Sequence, residues 1–126
     1  MGVIGATLTR VEPGVVEITL PYRADLTQQD GYVHAGIVTT IADSACGYAA
    51  YSLMPPESDV LAVEFKVNLL RPAKGETFLA RAEVIKPGRT LTVVRADVFA
   101  ITGAADARQL VATMQGTMMR LPRRGN

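Results

Sequence analysis

Between Gly31 and Pro56 the chain carries one charged side chain, Asp43. A lone carboxylate in an apolar segment loses solvation and must be compensated, neutralised or put to use. At helical spacing Gly36, Thr39/Thr40, Asp43 and Gly47 fall on one narrow stripe, and small and polar neighbours leave room for a ligand beside the acid. That pattern favours a functional carboxylate over a hydrogen-bonded structural one. His34, the only histidine, stands directly before the expected helix start. A single histidine there is more often a cap or a core residue than a catalyst. The free first-turn amides of Ala35 and Gly36 beside it nevertheless suit negative charge or a polarised carbonyl, and Gly36 lets a substrate come close to the backbone. Cys46 reads as a small buried hydrophobe, since no second cysteine and no histidine on the helix would activate it. Lys86-Pro87-Gly88-Arg89 has the residues to hold a phosphate, although a surface hairpin with solvated charges is the simpler reading. No P-loop, dinucleotide glycine fingerprint, G-x-S-x-G or H-E-x-x-H pattern is present.

These residues need a scaffold. Ala6–Glu12 and Val15–Leu20 alternate around Glu12-Pro13-Gly14, which reads as a hairpin turn. Ile37, Val38, Ile41, Ala42, Ala45, Tyr48 and Ala49 recur at three-to-four spacing until Pro55-Pro56, predicting a helix from about Ala35 to Leu53. The period then changes to two. Leu61, Val63, Phe65, Val67 and Leu69 are expected on one strand face, with Ala62, Glu64, Lys66 and Asn68 on the other. Further strands are expected over Thr77–Ile85, Thr90–Ile101 and Gln109–Arg120, with a type II turn at Pro87-Gly88 and a loop at Gly103–Ala107. Residues 119–126 read as a frayed basic tail. Connections too short for parallel crossovers make this an α+β domain, an antiparallel sheet with one helix on its face.

Composition narrows the functional classes. The 126 residues suit a single domain, and 48% hydrophobic with 20% charged residues excludes a disordered chain. Thirteen basic against twelve acidic residues give a net charge of +1 and no electrostatic reason to expect nucleic acid. One cysteine and one histidine cannot build an internal disulfide or a Cys/His metal cage, so no metal is expected. The first six residues lack a signal-peptide pattern, and Ala6 stands where a myristoylation site wants Ser or Thr. Asp43 counts against membrane insertion of Gly36–Leu53, so a soluble cytoplasmic protein is expected.

Gln28-x-x-Gly31-x-x-His34-Ala35-Gly36, followed by Asp43 nine residues after the histidine, resembles the hotdog-fold acyl-CoA thioesterases of the PaaI-like, phenylacetate-pathway type. Their signature is Asn or Gln, then Gly, then His-Gly-Gly, then Asp or Glu on the central helix. Val63-Glu64-Phe65-Lys66-Val67-Asn68 leading into Arg71-Pro72-Ala73-Lys74-Gly75-Glu76 is similar to that family's second and third strands, and Lys86-Pro87-Gly88-Arg89-Thr90 to its next hairpin. The resemblance covers Gln28 to Thr117. It implies a hotdog fold, an antiparallel β-sheet wrapped around one long central helix. It also implies hydrolysis of an acyl-CoA or aryl-CoA to free acid and CoA, with no cofactor beyond the CoA of the substrate. Asp43 would be general base or nucleophile, the Ala35 amide would polarise the carbonyl, and Gln28 and His34 would position the reacting groups. Gly36, Gly47, Lys86, Gly88 and Arg89 are the candidate substrate contacts; Lys66, Arg71 and Lys74 are further candidates for the CoA phosphates. Tyr32, Tyr48, Tyr51, Leu53 and Met54 either line an acyl pocket or simply pack. Two departures stand out: Ala35 replaces the middle glycine of the motif, and Ala62 occupies a position where some relatives carry a hydroxyl.

Ala35 and Asp43 are eight residues apart, roughly 12 Å along a helix axis. One thioester carbon cannot lie about 3 Å from both a carboxylate and an oxyanion donor so separated. Two antiparallel helices from two subunits remove the conflict, so a homodimer with two shared sites is expected, as is usual in the family, with a dimer of dimers left open. A non-catalytic acyl-CoA binding or sensing domain is the rival function, and a hotdog dehydratase or hydratase ranks behind it.

Overall fold

The computed structural model describes residues 2–28, 30–103 and 107–122. Six antiparallel strands, β1 (Thr7–Glu12), β2 (Val15–Pro21), β3 (Ser58–Leu69), β4 (Thr77–Lys86), β5 (Leu91–Thr102) and β6 (Ala107–Pro122), form one sheet. Its order is β1-β2-β4-β5-β6-β3, and α1 (Ala35–Tyr51) packs on one face. This is the expected α+β architecture, a sheet around one long helix. Among the described residues no helix is long and apolar enough to cross a membrane.

Period-two alternation makes the inner sheet face. Burial alternates along β5, with Val94, Ala96, Val98 and Ala100 inward. Val16, Ile18 and Leu20 of β2 and Phe78, Ala80 and Ala82 of β4 extend that layer. Val38, Ile41, Ala42, Ala45, Cys46 and Ala49 of the helix close it. Full burial of Ile18, Leu20 or Phe78 stabilises by roughly 1.5–3 kcal/mol each. Alanines on both surfaces allow close approach. The opposite face of α1, with Gly36, Thr40, Tyr48 and Tyr51, remains exposed.

The helix begins where the motif suggests. His34 is the N-cap, with φ −55 and ψ 138, and its carbonyl accepts from the amides of Ile37 at 3.0 Å and Val38 at 3.1 Å. Regular helix ends at Tyr51 rather than Leu53, because the Leu53 and Met54 amides turn back onto Ala50 and Tyr51 ahead of Pro55.

Three expectations need correction. The alternating face proposed for β3 is broken by a bulge: Ala62 opposes Met118 and Glu64 opposes Thr117, leaving Val63 without a partner. Ala62 therefore shares the helix side with Phe65, Val67 and Leu69, whose partners Gly116, Met114 and Ala112 are the buried row of β6. Residues 119–122 are not frayed, since β6 pairs with β3 as far as Pro122 and the Arg120 Nε donates to Ser58 Oγ at 2.7 Å; residues 123–126 lie outside the described residues. Gly88 does not adopt the positive φ of a type II turn. Its backbone instead lies so close to β5 that a Cβ would sit 2.1 Å from the Leu91 carbonyl oxygen. The first hairpin does turn as expected, with Gly14 at φ +79 after Pro13. Of the expected loop at Gly103–Ala107, residues 104–106 lie outside the described residues.

Candidate active site

Asp43 sits in the third turn of α1, half-buried, with Oδ1 buried and without a hydrogen-bond partner among the described residues. Loss of solvent pushes its pKa above the ordinary carboxylate value. The carboxylate opens onto a cavity of about 480 Å³ between the helix and the start of β3. Gly47, Tyr48 and Tyr51 continue that cavity along the helix, while Val60, Ala62 and Met118 form its strand side. Such a volume lies within the ordinary range for small-molecule sites.

The Ala35 amide opens elsewhere. Ala35 lines a second cavity, of about 450 Å³, together with Gln28, Tyr32, Leu69 and Arg71. A compact loop holds this end of the helix. The Gln28 amide donates to the Tyr32 carbonyl at 2.8 Å, the Val33 amide to Ala73 at 2.9 Å, and the His34 amide to Leu26 at 3.0 Å. Neither the Ala35 nor the Gly36 amide has an acceptor among the described residues. Two aligned donors at a helix N-terminus carry partial positive charge and suit a developing oxyanion.

Gln28 and Ala35 are thus together, and so are Asp43 and Gly47, but the two groups occupy separate cavities of the same chain. His34 and Gly36 are exposed beside the helix start and line neither cavity. Lys86, Gly88 and Arg89 occupy the exposed β4–β5 turn, also outside both. Cys46 is fully buried; burial first, and the Asp43 charge second, push its thiol up to about 12, so it stays protonated.

Ser44, Asp59, Val60 and Met118 also line the Asp43 cavity. None of the four is among the sequence-predicted site residues. Ser44 had a signal, a hydroxyl beside the one acid of an apolar helix; the other three arrive only through strand register.

Residues 30–107 match the Thioesterase superfamily, and the chain belongs to that family. It is a hotdog-fold thioester hydrolase. A thioesterase family protein from Silicibacter pomeroyi superposes with a TM-score of 0.93 at 54% identity, covering 97% of this chain and 88% of that one. A relative from Halobacterium salinarum, whose name goes no further than esterase, is 32% identical over 109 residues, 82% of this chain and 72% of its own. A 1,4-dihydroxy-2-naphthoyl-CoA hydrolase from Listeria monocytogenes is 28% identical over 90 residues, 71% of this chain and 73% of that protein.

Proposed function

We propose that the chain hydrolyses acyl-CoA or aryl-CoA thioesters at two equivalent sites of a homodimer, each built from Asp43 of one subunit and the Ala35 amide of the other. The observation that carries this reading is Asp43 itself, with one buried, unpartnered carboxylate oxygen, lining a cavity large enough for an acyl group. The CoA leaving group is supported by the Listeria relative, whose name specifies a CoA thioester.

In the base route, Asp43 takes a proton from water as the water oxygen adds to the thioester carbon. Negative charge moves to the carbonyl oxygen, where the Ala35 N–H stabilises it. Collapse breaks the carbon–sulfur bond, and CoA leaves as its thiol with the proton returned. In the nucleophilic route the Asp43 carboxylate attacks the same carbon directly, the carbon–sulfur bond breaks to expel CoA as its thiolate, and water then opens the mixed anhydride, freeing the acid and the Asp43 carboxylate while the water's proton goes to the thiolate. The orienting role falls to Gln28, which lines the same cavity as Ala35, and to His34 at the helix start. The CoA phosphates then find partners among Lys66, Arg71, Lys74, Lys86 and Arg89.

The free edge of the sheet supports self-association. Among the described residues strand β3 pairs on one side only, with β6, through eleven of its twelve residues. It exposes Leu61, Val63, Phe65 and Leu69, an edge that proteins normally cover or charge.

The test is release of free thiol from short, medium, long and aromatic acyl-CoAs, with Asp43→Asn as control. Loss of at least ~10²-fold in turnover, with CoA-ester binding retained, is expected. Wild-type turnover in Asp43→Asn would remove the mechanism.

A further inference from the structure

Gly47 is the one lining residue of the Asp43 cavity whose presence works against its own helix. It lies four residues, one turn, beyond Asp43 on the same face. Glycine inside a helix is less favourable than alanine because it has more freedom to lose. Close packing within the chain does not require it: a Cβ built there would meet nothing within 4 Å. Its φ lies outside the left-handed region, so the backbone does not require it either. What its lack of a side chain does provide is volume directly beyond the carboxylate. The β3 bulge acts in the same direction from the other wall, turning the methyl of Ala62 toward the cavity rather than a side chain of the size of Leu61 or Val63.

We infer that Gly47 and Ala62 are the specificity-determining pair of the site: together they set its width and admit acyl groups broader than a short straight chain. This rests on the acyl-CoA reading above. Around the pair, Tyr48, Tyr51, Val60 and Met118 offer mainly apolar and aromatic surface, with Ser44 and Asp59 as the further polar lining beside Asp43. That lining matches an aromatic or branched acyl group, with the thioester carbon held at the Asp43 end.

The experiment compares kcat/KM for acetyl-, hexanoyl- and phenylacetyl-CoA in wild type, Gly47→Ala, Gly47→Val and Ala62→Val, with sedimentation velocity on each protein. Valine at 47 is expected to raise the acetyl-to-phenylacetyl ratio by at least ~10-fold, on the scale of hydrophobic pocket discrimination, and alanine to raise it less. Ala62→Val should act in the same direction from a strand position that tolerates β-branching, so the conclusion does not hang on the folding of a helix variant. Gly47→Ala should leave the melting temperature unchanged or raised. An unchanged ratio overturns the inference. So does an equal loss on all three substrates accompanied by dissociation, which would make Gly47 a point of close approach between subunits. Absence of turnover on every CoA ester in wild type would instead overturn the acyl-CoA reading itself, whereas turnover with a flat ratio sinks only the size selection.

Discussion

Ala35 and Asp43 belong to one helix yet open onto different cavities, the first with Gln28 and Arg71, the second with Gly47 and Tyr51. Two turns of helix separate an unsatisfied donor from an unsatisfied carboxylate, each with room beside it and neither within reach of the other's substrate. In the proposed dimer each of these groups would meet its complement on the partner subunit. The free β3 edge flanks both cavities, contributing Val60 and Ala62 to one and Leu69 to the other.

The amide can be removed without disturbing the helix. Ala35 is the first helical residue, where proline is favoured because its missing N–H has no intrahelical acceptor. His34 already has φ −55 and ψ 138, the extended conformation required before proline. Ala35→Pro should therefore fold with a near wild-type melting temperature and lose ~10²–10³-fold in kcat, the usual cost of one oxyanion donor. Steady-state kinetics with a thermal melt checks this, and full activity would exclude the Ala35 amide.

Mixing two inactive variants tests sharing directly. Asp43→Asn retains the amide and Ala35→Pro retains the carboxylate. In a dimer assembled from one of each, one of the two sites recovers both groups. After denaturation and co-refolding in equal amounts, half of the dimers are mixed, so about a quarter of wild-type activity should return. A site completed within a single chain would recover none.

Much of this was legible in the sequence because it rests on local chemistry. The helix start follows from His34-Ala35-Gly36, whereas Pro55-Pro56 only bounds its end, which comes earlier, at Tyr51. Asp43 stands out because charge is otherwise absent from its segment. The bulge at Val63 could not be read, since Leu61, Val63, Phe65, Val67 and Leu69 alternate without interruption and the extra residue exists only relative to β6. For the same reason Asp59, Val60 and Met118 were not visible as neighbours of the acid; they depend on which strand lies at the edge and in what register. The paired end of β6 is hidden because Arg120 reads in the sequence as a solvated charge, whereas its guanidinium reaches the buried Ser58.

The β4–β5 turn supplies a stability test. Any side chain at Gly88 would collide with the Leu91 carbonyl at 2.1 Å, and backbone cannot yield as a flexible side chain does. Gly88→Ala should cost about 1–3 kcal/mol, in the range of ordinary destabilising substitutions. Equilibrium urea unfolding measures it. A neutral result would mean that the hairpin rearranges freely.

The Asp43 carboxylate should itself be a source of instability. Its folded pKa is raised by burial above the value of 3.8 that applies when it is solvated, so between the two values the folded chain holds a proton that the unfolded chain has lost. Stability then falls as pH rises through that window, and the full penalty is present at neutral pH. Asp43→Asn removes the charge and keeps the shape, so its melting temperature should exceed wild type at pH 7 by the order of a few degrees, the scale typical of relieved functional strain. The difference should shrink on acidification and vanish below pH 3.8, where both folded and unfolded carboxyl groups are protonated. Activity runs the other way. The base must be ionised, so turnover should fall as pH drops through the raised pKa, and that acid limb should lie above the ordinary carboxylate range. Differential scanning calorimetry of both proteins from pH 3 to pH 8, beside the rate profile of wild type, reads both effects of the one group. A melting temperature for Asp43→Asn below wild type at pH 7 would show that the assembled protein compensates the carboxylate with a partner that the single chain does not provide.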